Sequence, residues 1–326
     1  MKQATSTVYR GQASRRTFTS EWHNLVLGFQ HLLAMYSGDV LVPLLIGHYL
    51  HFSALQMTYL VSIDIFMCGV ATLLQLKQTP LTGIGLPVVL GCAVQAVTPL
   101  ESIGGKLGIT YMYGAIIAAG IFVFLIAGFF ARLKRFFPPV VTGSLITIIG
   151  FTLVPVGFQD LGGGTPTAAS FGNPTNLLVG FLTIIIILVI SAFARGFMKS
   201  IAILIGILVA SFIAGGLGQV SLTPVSEAAW FHTPQLFFFG VPHFNLSAMI
   251  TMMLVSLTTM IESTGVFFAL SDITGRQLTT KDLERGYRAE GIAAVLGGLF
   301  NTFPYSTFSE NVGVLKMSGV KTRRPV

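Results

Sequence analysis

Long apolar runs separated by short polar gaps organise this chain, and the runs are continuous rather than alternating residue by residue. Ten segments are legible, at roughly 24–47, 56–76, 86–100, 111–131, 138–157, 176–194, 198–217, 245–270, 286–302 and 307–320. Most approach the roughly 20 residues that a membrane-crossing helix needs. The third and the tenth do not read as simple helices. The third lies in GIGLPVVLGCAVQAVTPL and carries Pro87 and Pro99 with Gly83, Gly85 and Gly91. The tenth lies in NTFPYSTFSENVGVLKMS, from Asn301 to Ser318, a stretch that holds Glu310, Asn311 and Lys316. Pro304 blocks a helix arriving from its N-terminal side, and Ser309-Glu310-Asn311 has the composition of a new helix start. The pattern predicts an extended piece from Thr307 to Ser309, followed by a half-helix whose positive dipole end faces a cavity.

The third and tenth segments share an order of elements: Gly or Asn, then Pro, then a β-prone run, a small or polar turn and a half-helix. They are seven segments apart. So are the first and eighth, each long and each with a polar group in its middle, His31 and Glu262. Matching broken segments in two halves predict an inverted repeat of seven spans, with the substrate site where the breaks meet. A second full repeat needs about four spans more than this chain holds. The chain is therefore expected to be a C-terminally truncated form, and residues 1–326 alone are not expected to transport.

Composition supports the membrane reading. The 326 residues are 53% hydrophobic and only 10% charged, with a mean hydropathy of +0.78. So few charges cannot cover a soluble surface, and continuous runs exclude a transmembrane barrel. The net charge of +7 is distributed asymmetrically. With the N-terminus inside, Lys2, Arg10, Arg15 and Arg16, Lys77, Arg132 to Arg135, Arg195 and Lys199, Arg276 to Arg288, and Lys321 to Arg324 all fall on cytoplasmic connections. The outer ones hold only Lys106. The excess of basic residues thus sets orientation rather than indicating a nucleic-acid partner. The polar start shows no cleavage site and reads as a cytosolic tail. Cys68 and Cys92 lie inside apolar runs and indicate no disulfide. Gly162 to Gly164 read as a flexible outer loop, because no Lys-Ser/Thr helix start follows to bind phosphate. The long outer connection carries Pro224, Trp230, Pro234 and Phe237 to Phe239, composition suited to a segment lying in the membrane interface.

Ionisable groups within a bilayer are costly and are functional candidates. Glu262 lies deepest, between LVSLTTMI and STGVFFAL, with no neutralising neighbour in sequence, and is the first candidate for a proton carrier. His31 suits either substrate contact or a structural bond to another helix. Asp39, after Gly38 and before Pro43, reads as a structural cap at a break. Asp64 has ordinary apolar neighbours and carries no prediction. Glu290, near a cytoplasmic end, suits a solvated or paired role as well as a functional one. No zinc HExxH pattern, GxSxG elbow or P-loop supports an enzyme.

Glu310-Asn311-Val312-Gly313, four residues, then Ser318-Gly319 resembles the signature of the nucleobase–ascorbate transporter family, with Ser where the family has Thr. Gln30-His31, Glu262-Ser263-x-Gly265 and Glu290-Gly291 are similar to further marks of that family, and the likeness extends from about Trp22 to Arg324. ESTGVFFAL and the closing SENVGVLKMSGVKTR look most like its bacterial xanthine and urate permeases. The resemblance implies an all-α polytopic fold of fourteen spans in two inverted repeats, about ten of them present here, with short antiparallel strands in spans three and ten. It implies a tail over 1–22, a core domain from 23–135 and 245–326, a gate part over 136–218, and an outer connection over 219–244. It also implies proton-coupled nucleobase uptake at the cytoplasmic membrane, with a proton rather than a cofactor or metal, and a homodimer. The implied substrate site comprises Glu262 and Glu310, with Asn311 shaping it and backbone near Ala93, Val94 and Ser309; His31 and Glu290 would be coupling or structural positions. Many purine transporters carry Gln where Glu310 stands, and several carry Asp where Val266 stands. A pyrimidine permease of the family, or an anion carrier of the same architecture, are the alternatives.

Overall fold

The computed structural model describes residues 18–133, 139–163, 171–218, 233–318 and 322–326. Trp230 and Pro224, expected in an interfacial segment, lie outside them, as does Gly164. The first apolar run forms two helices, α1 (Phe18–Asp39) and α2 (Leu41–Tyr49), that break beside Asp39. Helix α3 (Ala54–Leu76) opens on a capping box, in which Ser53 Oγ accepts from Gln56 N–H and the Gln56 side chain accepts from Ser53 N–H. The third segment divides into strand β1 (Leu90–Cys92), a single 3-10 turn (Val94–Ala96) and helix α4 (Val97–Leu107). Gly108, at φ +103°, then turns the chain into α5 (Ile109–Arg132). Helices α6 (Pro139–Leu161), α7 (Pro174–Phe193), the short α8 (Phe197–Ser200) and α9 (Ala202–Gly216) follow. The last part comprises α10 (Leu246–Thr274), α11 (Thr280–Phe300), strand β2 (Tyr305–Thr307) and α12 (Ser309–Ser318).

The strands pair antiparallel with Leu90 opposite Thr307, Gly91 opposite Ser306 and Cys92 opposite Tyr305. Ala93 N–H to Pro304 O at 2.9 Å and Phe308 N–H to Val89 O at 3.0 Å extend the ladder at both ends. An open ribbon in an apolar core would expose unpaired edge groups, each costing several kcal/mol if left bare. Side chains cover these edges. Thr72 Oγ1 accepts from Leu90 N–H (3.0 Å), Asp39 Oδ1 from Cys92 N–H (2.6 Å) and Ser263 Oγ from Thr307 N–H (3.3 Å). Gly91 is required where the Phe308 ring crosses the ribbon, since a Cβ there would lie 2.5 Å from it.

Two expectations change. The extended piece predicted from Thr307 to Ser309 lies earlier, at Tyr305–Thr307, and Ser309 already begins α12. Pairing of Pro304 O with Ala93 starts the ladder immediately after the proline. The Phe237–Phe239 stretch packs inward rather than lying in an interface. The Phe238 ring stacks on Tyr59 at 3.8 Å between centroids and Phe239 on Phe52 at 4.9 Å. Phe237 N–H donates to Leu299 O, and Phe239 N–H to Asn301 Oδ1, so this turn closes the end of α11.

Helices α5 and α11 cross at glycines: a Cβ on Gly120 would lie 2.7 Å from Gly291 O, and one on Gly291 would lie 2.7 Å from Gly120 O. Backbone contact through small residues is how helices pack where no hydrophobic force drives them together. Gly291→Leu is expected to force α5 and α11 apart and destabilise the protein by about 1–3 kcal/mol. A lowered midpoint of thermal unfolding in detergent would show this. Gly69→Ala, with nothing within 4 Å of the added Cβ, should leave the midpoint unchanged or raise it. An unaltered Gly291→Leu midpoint would refute the close crossing.

Large apolar side chains face outwards, among them Phe193 and Phe212 at 81% exposure, and α7 buries no described residue. Among the described residues five helices are long and apolar enough to cross a membrane. Together these make a multi-pass helical membrane protein. Several basic residues gather at one end. Arg276 donates to Ile84 O and Gly85 O and pairs with Asp282 at 3.0 Å, Arg285 lies 3.8 Å from Asp282, and Arg323 donates to Leu76 O.

Candidate functional site

The ribbon feeds two helix starts. β1 leads into the turn at Val94 and β2 into α12 at Ser309. The first amides of a helix have no internal acceptor and carry its positive dipole end. Here these are the amides at Val94 and Gln95 on one side and at Ser309, Glu310 and Asn311 on the other. The Ala93 amide, expected at the site, is already bonded to Pro304 O, and Ala93 is fully buried. Val94, which opens the turn after β1, is therefore the first residue past the ladder whose amide is left for a ligand.

Glu262 projects from the middle of α10 towards the same place. Its Oε2 accepts from Gln95 Nε2 at 2.8 Å, and that amide also donates to Thr259 Oγ1 at 3.0 Å. Gln95 went unnoticed in the sequence, where a single amide in a small apolar turn carries no motif. Its position two residues after β1 aims it at α10. Glu310 is exposed at the first turn of α12, with Ser309 Oγ donating to it at 3.4 Å. It is near enough for its charge to act on Glu262, and Glu262 in turn acts on Glu290.

Glu290 is buried rather than solvated or paired at a surface. Its Oε1 accepts from Thr307 Oγ1 at 2.8 Å, bracing β2 against α11, and its Oε2 has no hydrogen-bond partner in that geometry among the described residues. Asn311 is buried and turns towards α1: its Nδ2 donates to His31 O at 2.9 Å and to His31 Nδ1 at 3.2 Å. With Nδ1 accepting, the neutral His31 ring carries its hydrogen on Nε2. That Nε2 and Asn311 Oδ1 have no partner among the described residues. His31 and Asn311 therefore join α1 to α12 and leave one donor and one acceptor unspent. The structure thus brings together Glu262, Glu310, Ser309, Asn311, Val94 and Gln95 around the ends of the ribbon, with His31 and Glu290 behind them.

Broken helices meeting at a ribbon, with carboxylates and open helix starts between them, define a membrane transporter rather than an enzyme. The chain matches the Permease family over residues 23–326. It belongs to that family, within the xanthine/urate branch of the nucleobase–ascorbate transporters. It is 53% identical over 306 residues to the uric acid permease PucK of Bacillus subtilis, covering 93% of this chain and 71% of that protein. It is 52% identical to the xanthine permease of the same organism, covering 91% and 68%. Among solved structures it is similar to the transmembrane domain of a cyanobacterium bicarbonate transporter, BicA. That match has a TM-score of 0.68 at 13% identity, over 95% of this chain and 80% of that one, and shows the fold alone.

Proposed function

We propose that this protein takes up xanthine or a related oxidised purine such as urate across the cytoplasmic membrane by proton-coupled alternating access. The observation that carries the reading is the meeting of Glu262, held by Gln95, with two open helix starts at the ends of the ribbon. A purine dione presents N–H donors beside C=O acceptors along one edge. A carboxylate accepts two such N–H groups, and helix-start amides bind the carbonyls. Glu262 and Glu310 take the N–H groups, amides near Val94 and Ser309 take the carbonyls, and Asn311 with His31 fixes α12. Xanthine and urate are the substrates in the names of the two relatives above. An anion carrier, the activity in the name of the fold neighbour, would not be expected to line its site with two carboxylates.

In this reading the chain supplies about ten of fourteen spans. Residues 23–135 and 245–326 form the core, 136–218 form the first part of the gate, the N-terminus is cytoplasmic and the protein is a homodimer. Radiolabelled xanthine uptake by the full-length protein, competed by urate, guanine, uracil and bicarbonate, tests the substrate. Competition by urate and guanine supports the reading; competition by uracil or bicarbonate alone overturns it. The coupling ion has its own test. Raising external pH shrinks the inward proton gradient, so uptake is expected to fall as external pH rises and to collapse with a protonophore. Sodium-dependent, pH-insensitive uptake is the contrary result.

A further inference from the structure

Behind β1, on the side away from Glu262, lies a second group of polar side chains that the proposed transport site does not use. Asp39 at the break between α1 and α2, Asp64 and Cys68 on α3, and Cys92 on β1 are all completely buried. Their ligand atoms lie within 4.8 Å of one another. Asp39 Oδ1 accepts from Cys92 N–H at 2.6 Å, and its Oδ2 from Cys68 Sγ at 3.1 Å. Asp64 accepts from Cys92 Sγ at 3.0 and 3.1 Å and from Tyr305 Oη at 3.1 Å. The two carboxyls face each other within that same 4.8 Å. The titratable groups facing the pair are Cys68 from α3, Cys92 from β1, Tyr305 from β2 and Tyr113 from α5. Among the described residues no ion pair reaches either carboxyl.

Two completely buried carboxylates this close, with no cationic side chain paired to them among the described residues, cannot both be ionised. We propose that Asp39 and Asp64 form a second cation site, occupied by one shared proton, separate from the Glu262 corner. Its occupancy acts on β1. With the proton present, Asp39 holds the Cys92 amide and the strand delivers Ala93 and Val94 to the substrate site. With it absent, the two charges repel across the strand's anchor. The proton here is thus a condition for the shape of the site, whichever base is carried.

The full-length protein, isotope-labelled at the aspartate carboxyl carbon, is to be examined without substrate by infrared spectroscopy from neutral to mildly alkaline pH. A protonated-carboxyl C=O band that shifts with the label, shifts again in heavy water, and disappears in the Asp39→Asn, Asp64→Asn double variant is the expected result. If the double variant does not fold, the single variants Asp39→Asn and Asp64→Asn decide, since each removes one of the two carboxyls and is expected to shift or abolish the band; of the other described aspartates, Asp160 and Asp272 are exposed and Asp282 pairs with Arg276. No labelled band in the wild type, or a band unchanged in the double variant, overturns the proposal. So does one equivalent of a divalent metal that co-purifies with the wild type and is lost from the double variant, because the charges would then be neutralised by the metal. A failure of xanthine uptake leaves the infrared result standing and counts only against the proposed substrate.

Discussion

Replacing Glu262 by Gln in the full-length protein is expected to weaken xanthine binding roughly 30-fold to nearly 1000-fold, about 2–4 kcal/mol, and to abolish accumulation against a gradient. The size of the effect follows from Gln95. Its Nε2 already donates to Glu262 Oε2 and to Thr259. An amide at position 262 must therefore turn its carbonyl oxygen towards Gln95, which aims its NH2 at the substrate. A purine N–H would meet a donor instead of a carboxylate, losing a charge-assisted bond and gaining a clash. The same amide cannot take up a proton, so coupling is lost with affinity. Equilibrium binding and uptake of labelled xanthine read the two losses separately. Normal transport by Glu262→Gln would mean that the base is not held against α10.

The second large effect is expected at Glu310, and it depends on the replacement. Glu310→Ala should eliminate measurable uptake, because a buried purine N–H would be left without an acceptor, at about 1–3 kcal/mol, and the charge at the start of α12 would go with it. Glu310→Gln should retain weakened uptake with altered preference among purines. Glu310 is exposed and bonded only weakly, through Ser309 at 3.4 Å, so a glutamine there is free to turn its carbonyl to the base. Position 262 lacks that freedom. The contrast is the test: competition curves for a panel of purines should differ between wild type and Glu310→Gln. Wild-type affinity in Glu310→Ala would remove Glu310 from the site.

The broken segments were legible because proline and glycine are local signals. Pro304, Pro87 and Gly91 mark the interruptions, and Ser309-Glu310-Asn311 marks the restart. Glu262 stood out because a lone carboxyl in a long apolar run is costly. What stayed hidden is partnership across the fold. Asp64 and Thr72 sit in ordinary apolar helix sequence, and only the arrival of β1 shows what they bond. Glu290 sits deep rather than near a wet end because α11 runs from Thr280 to Phe300, which carries residue 290 to the ribbon. Phe237–Phe239 misled for a physical reason: aromatic rings suit a membrane interface and an inner stack equally, and nothing local separates the two.

The ribbon also sets an order of assembly. β1 and its partner are more than two hundred residues apart along the chain, so at ordinary rates of synthesis the first strand waits on the order of tens of seconds for the second. During that interval its backbone would stand unpaired in a hydrocarbon setting. Thr72 and Asp39, which bond the Leu90 and Cys92 amides, are both made before β1. The nascent strand can thus be received on its outer edge by helices already inserted, leaving the other edge as a template on which β2 docks last.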